Sequence, residues 1–130
     1  IDLTGFGPYY GDATSNLAQF RRSLERVKDI DARVWVTSHH RGVLTERADF
    51  LQALARFAGK IDERSQRLLG YLRERPHTLD DLVARRLLYP PGFELPNVES
   101  AERRSIGQHL AELQERGAVR LEGDGHYHRC

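Results

Sequence analysis

Leu17, Phe20, Leu24 and Val27 recur at intervals of three and four with polar residues between them. This spacing predicts an amphipathic helix from about Thr14, with Asp12 or Thr14 capping its first turn. Val34, Trp35 and Val36 form a short β-rich run, too short for a helix, and read as a buried strand. Phe50, Leu51, Leu54 and Phe57 return to helical spacing after Thr45, which caps a second helix, and Gly59 marks its end or a break. Ile1 to Leu3 reads as a strand end, followed by a loop whose Gly5, Gly7, Pro8 and Gly11 oppose regular structure. Residues 1–59 thus read strand, helix, strand, helix. Two strands cannot bury two helices, so this is half of an α/β layer fold.

From Lys60 the pattern changes. Ile61, Leu68, Leu69 and Leu72 make one helical stripe that Pro76 stops, and Thr78 with Asp81 offers a capping box for a short helix carrying Leu79, Leu82 and Val83. A loop with Pro90, Pro91, Gly92 and Pro96 leads to Asn97 or Ser100, either of which can cap a longer helix with Ile106, Leu110 and Leu113 on one side and Gly117 at its end. Two β-runs, 118–121 and 126–129, flank Gly123-Asp124-Gly125, a hairpin signal. Three helices and a terminal hairpin over 60–130 read as a winged helix-turn-helix, a second domain after residues 1–59.

Composition limits the possible functions. A chain of 130 residues with 39% hydrophobic content holds at most two small cores. No apolar run approaches the ~20 residues of a membrane span, and the expectation is a soluble, cytoplasmic protein without membrane contact. The single cysteine, Cys130, excludes disulfide stapling within the chain. The sequence has no Met and opens on Ile1, so a fragment or processed piece is expected. The net charge is +1, and residues 60–130 carry twelve Lys+Arg against twelve Asp+Glu. The third helix of that half, 101–116, has Arg103, Arg104 and Arg116 against Glu102, Glu112 and Glu115, and the hairpin turn adds Glu122 and Asp124. Phosphate neutralisation supplies most nucleic-acid affinity, so a packing or homodimerising role is expected ahead of DNA or RNA recognition, with a module that binds a protein partner or nucleic acid through residues 60–130 as the alternative.

Candidate chemistry gathers at one strand end. Val34 to Val36 runs into Thr37, Ser38, His39, His40, Arg41 and Gly42, and neutral imidazole is the commonest protein ligand for catalytic zinc. Asp2 is the other carboxylate in a comparable strand-end position. His77, His109, His126 and His128 show no metal spacing; His109 is expected at the surface, and His126 and His128 alternate along a strand. Tyr9 and Tyr10 are expected to anchor their Gly/Pro loop against parts of the protein outside this sequence, with substrate contact as the alternative.

Ile1-Asp2-Leu3, Gly7-Pro8-Tyr9-Tyr10-Gly11-Asp12, Ser23-Leu24-Glu25-Arg26-Val27 and Val36-Thr37-Ser38-His39-His40 together resemble the C-terminal half of a metallo-β-lactamase-fold hydrolase. The order of elements from Lys60 to Arg129 is similar to the winged-helix appendage of some members. The implied fold is half of an αββα sandwich followed by a winged helix. The resemblance places Asp2 where the family has the aspartate that bridges two metals, and His39 where it has its last histidine ligand. The family's Gly-His-Gly surroundings are replaced by Ser38-His39-His40, so His40 stands as an alternative ligand, a hydrogen-bonding neighbour of one, or a substrate contact. The resemblance implies two divalent ions, usually zinc, that lower the pKa of water and clamp a developing oxyanion. It also implies a small-molecule ester, thioester or lactone as substrate. The His-x-His-x-Asp-His motif of the family is expected upstream, so this segment holds no complete catalytic set and is expected to be inactive alone.

Overall fold

The structure is a computed structural model that describes residues 2–130; of His40 it describes the backbone. The strand expected at 1–3 therefore lies partly outside the described residues. The elements are α1 (Leu17–Lys28), β1 (Trp35–Val36), a 3-10 turn (His39–Arg41), β2 (Val43–Leu44), α2 (Arg47–Glu74), α3 (Leu79–Arg85), α4 (Val98–Glu115), β3 (Val119–Leu121) and β4 (Tyr127–Arg129). They form two compact units, one of residues 2–9 and 18–62, the other of residues 10–17 and 63–130. No helix among the described residues is long and apolar enough to cross a membrane.

In the first unit, β1 and β2 pair antiparallel with Trp35 opposite Leu44 and Val36 opposite Val43. No sequence signal marks β2, since two residues are too few to show alternation. Thr37 closes the ladder from both its groups, its N–H (2.8 Å) and its hydroxyl (2.9 Å) donating to the Gly42 carbonyl. Trp35 is buried and stacks on Phe50 of α2 at 4.9 Å between ring centroids. The expectation of a wholly buried strand is corrected here: Val34 and Val36 are 49% and 69% exposed, because alternate residues face opposite sides and one side of this two-stranded ladder is open. The end of α1 is held by Arg47, whose guanidinium donates to the carbonyls of Lys28 (2.6 Å) and Ile30 (3.2 Å).

The helix α2 neither ends nor breaks at Gly59, contrary to expectation. A helical glycine costs about 1 kcal/mol relative to alanine. Burial of Phe50, Leu54, Phe57, Ile61, Leu68 and Leu72 along one stripe outweighs that penalty. The helix starts at Arg47, two residues after Thr45, which is therefore not its cap.

The second unit is built on Leu68, Leu72, Leu82, Val83, Leu87, Ile106, Leu110, Leu113 and Val119. Its capping box, helix terminus and hairpin are realised as read. Thr78 and Asp81 form a full capping box at α3, and the Thr78 N–H that donates to the Asp81 carboxylate holds that carboxyl below its usual pKa. Gly117, at φ +71°, ends α4 in a Schellman motif: its N–H donates to the Gln114 carbonyl, and the Ala118 N–H reaches Leu113 (2.9 Å each). Asn97 occupies the N-cap position of α4 without a side-chain cap bond, and the Ser100 hydroxyl donates back to its carbonyl instead. The hairpin pairs Val119 with Arg129 and Leu121 with Tyr127, and the backbone of His77 exchanges both hydrogen bonds with Tyr127.

Polar groups inside this unit are heavily used. The Glu102 carboxylate, 0% exposed, accepts from the backbone N–H groups of Leu87 (2.7 Å), Leu88 (2.9 Å) and Tyr89 (2.8 Å), satisfying a stretch that has no ladder partner. His109 is also 0% exposed, which corrects its expected surface position. It follows Ser105 and Ile106 by four and three residues and precedes Leu113 by four, so it shares the inward face of α4. Tyr10 is equally buried within this unit, not held in reserve for a partner outside the sequence. Its hydroxyl meets His109 Nε2 and accepts from Arg64 at 3.0 Å, while Ser65 Oγ lies 2.9 Å from His109 Nδ1. Arg64 can only donate, so the Tyr10 oxygen accepts from it, while the roles of the two imidazole nitrogens toward Tyr10 and Ser65 follow the His109 tautomer. Gln108 fixes the same segment by donating to the Tyr10 carbonyl and accepting from the Leu17 N–H. Gly11 approaches so closely that an added Cβ would stand 2.8 Å from that of Ala101.

Candidate metal centre

A parallel bridge between Asp2 and Ser38 brings the first described residue beside the turn that begins at His39. His39 has φ +63°, a left-handed backbone uncommon outside glycine, and it opens the tight 3-10 turn that Gly42, at φ +64°, completes. As a result His39 Nδ1 lies 3.2 Å from Asp2 Oδ2. The other carboxylate oxygen, Oδ1, accepts from the Thr4 N–H at 3.2 Å, an Asx-turn bond that orients the group. Both side chains are open to solvent, 41% exposed for Asp2 and 66% for His39. Their mutual attraction is therefore screened and adds little to stability.

A carboxylate and an imidazole are a donor set suited to zinc, manganese or iron. The pair fits as part of such a site and falls short of a whole one. No group of three or more His, Cys, Asp or Glu that could hold a metal is present among the described residues. His40 belongs to the same turn, but its side chain lies outside what the structure describes. Tyr9 is half-buried and Tyr10 is enclosed in the second unit's polar network. His77 and His109 are buried and His126 and His128 half-buried; none of them enters a metal-ligating group among the described residues. Sequence reading gave Thr4 no part; its contact with Asp2 runs through a backbone N–H, which no residue type marks in advance.

No family model matches the chain, and no curated protein matches its sequence. Solved structures do. A metallo-β-lactamase family protein from Thermus thermophilus is similar at 30% identity with a TM-score of 0.60, over 88% of this chain and 33% of that one. A β-lactamase domain protein from Burkholderia ambifaria is similar at 20% identity with a TM-score of 0.65, again over 88% of this chain and 33% of its own. The chain thus spans about one third of the length of each and has the mixed α/β fold of that part of a metallo-β-lactamase family protein.

Proposed function

We propose that this chain forms part of a metal-dependent hydrolase, contributing Asp2 and His39 as two ligands of a metal site that other residues complete. The observation that carries the reading is the 3.2 Å approach of Asp2 Oδ2 to His39 Nδ1, imposed by the bridge between Asp2 and Ser38. The likeness to metallo-β-lactamase family structures supports it. Two divalent ions, zinc foremost, would supply Lewis-acid activation of water and positive charge for an oxyanion. Asp2 would hold them through its carboxylate, which the Thr4 N–H keeps aimed, and His39 would present its imidazole from a backbone already fixed in the left-handed region. Two donors fall short of the three protein ligands of catalytic zinc sites, so the segment alone should bind metal weakly and be inactive. The substrate class that goes with this reading is a small ester, thioester or lactone.

Residues 60–130 are read as a winged-helix appendage that packs or dimerises, with residues 1–59 as the hydrolase part. The order of three helices and a hairpin supports the first point. For the second, Arg103 is paired with Asp80 and Glu99, Arg116 with Glu112 and Arg120 with Glu122, and Arg104 donates to the Gly11 carbonyl. A winged-helix binding module for a protein partner or nucleic acid is the alternative, and a steep salt dependence of RNA or DNA affinity would favour its nucleic-acid form.

The test is metal content by plasma mass spectrometry on the longer protein that carries this chain, with Asp2→Ala and His39→Ala variants. About two metals per chain, falling in both variants, is the expected result. Metal content unchanged by either substitution would overturn the ligand assignment.

A further inference from the structure

A cleft of about 500 Å³ in the first unit is lined by chain neighbours of Asp2 and His39. Leu3 and Thr4, which follow Asp2, form one wall, and Arg41, which ends the turn begun by His39, forms another. The third wall is a face of α2 bearing Arg56, Phe57 and Lys60. Three cations therefore line the cleft, and no carboxylate does. Arg56 and Lys60 stand four residues apart on one helix, where like charges repel. Among the described residues Arg41 and Arg56 have neither an ion pair nor a hydrogen-bonding side-chain partner, in a chain with 19 carboxylates and many engaged arginines. Leu3 and Phe57, the apolar part of this lining, are buried. Arg41 and Arg56 beside apolar Leu3 and Phe57 suit an oxyanion that carries a hydrocarbon body.

We propose that Arg41, Arg56 and Lys60 form an oxyanion-binding subsite that takes the carboxylate or phosphate end of a ligand, with the apolar part of that ligand on Leu3 and Phe57. Its use as a substrate subsite rests on the hydrolase reading above; its capacity to bind an oxyanion does not. Binding is read by amide NMR titration of the chain with inorganic phosphate, hexyl phosphate and hexanoate at constant ionic strength. Saturable shifts at Gly5, Arg41, Arg56 and Lys60 are expected, with the hexyl compounds tighter than inorganic phosphate. Stronger binding of hexyl phosphate would identify a phosphate ligand, and stronger binding of hexanoate a carboxylate; each supports the subsite. The Arg41→Ala/Arg56→Ala double variant should weaken binding about tenfold or more. Both side chains are exposed, so the fold should persist, and the preserved amide spectrum checks this. The Arg22→Ala variant, on an exposed position of α1, should bind as the parent does. Shifts centred elsewhere, or equal weakening by Arg22→Ala, would overturn the proposal. Since no metal enters this titration, its failure leaves the Asp2 and His39 assignment standing, and failure of metal uptake leaves the subsite standing.

Discussion

The two units treat their polar side chains in opposite ways. In the second, Glu102, His109, Tyr10, Arg64 and Ser65 are buried, and the hydrogen bonds among them and to the backbone knit separate stretches of chain together. In the first, Asp2, His39, Arg41 and Arg56 are partly or largely exposed and lean on short strands, a turn and one helix face. Buried polar groups cost stability when left unmatched, so the second unit's five, each hydrogen-bonded, are committed to the fold. The first unit's groups stay open to solvent, with Asp2 bonded to His39 and to the Thr4 N–H, and a ligand can reach them. The contrast separates chemistry used to build the protein from chemistry left for work.

The sharpest way to break this contrast is Glu102→Leu. It removes the acceptor of three backbone N–H groups and should cost at least about 3 kcal/mol, seen as a lower urea midpoint. Glu102→Gln keeps an amide oxygen and should recover part of the loss. Next is His109→Leu, which strips Tyr10 and Ser65 of a partner and should cost about 2 kcal/mol. Combined with Tyr10→Phe in a double-mutant cycle it should show coupling of about 1 kcal/mol; strict additivity would mean that the network is not a unit. Thr78→Ala should cost about 1 kcal/mol near neutral pH. Asp81 titrates lower in the folded protein, chiefly through the Thr78 N–H and then its hydroxyl. Its stabilisation is therefore present above the unfolded carboxyl pKa of about 3.9 and lost as pH falls through the folded value, and part of it should be missing from the variant's acid unfolding curve. The smallest effect sharpens the comparison most. Asp2→Ala and His39→Ala should change stability by no more than about 0.5 kcal/mol, since both side chains are solvated. A large loss of stability there would make the pair a structural device.

What could be read from the sequence was mostly local. The Thr78 and Asp81 box, the Gly117 terminus and the Gly123-Asp124-Gly125 turn are governed by neighbours within a few residues, and each was legible. The continuity of α2 through Gly59 was not, because a local glycine penalty is outweighed by burial spread along the whole helix. His109 was misplaced because its partners, Tyr10 and Ser65, lie 99 and 44 residues away. Asp2 and His39 stand 37 residues apart, and their nearness depends on the bridge of Asp2 to Ser38. No spacing rule reaches that far, and only resemblance to a family put the two residues in one frame. The cations of the cleft were equally hidden, coming from a turn and a helix face that only folding aligns.

The path of residues 10–17 has a practical consequence for anyone dividing this protein. That stretch belongs to the second unit, although the next stretch of chain, 18–62, belongs to the first. A cut near residue 60 would not release a self-sufficient module. It would take away the tyrosine that answers His109 and the backbone groups that answer Gln108 and Arg104. Modularity here follows the folded contacts rather than the order of the gene, and an excised C-terminal piece would keep its helices while losing the plug that seals them.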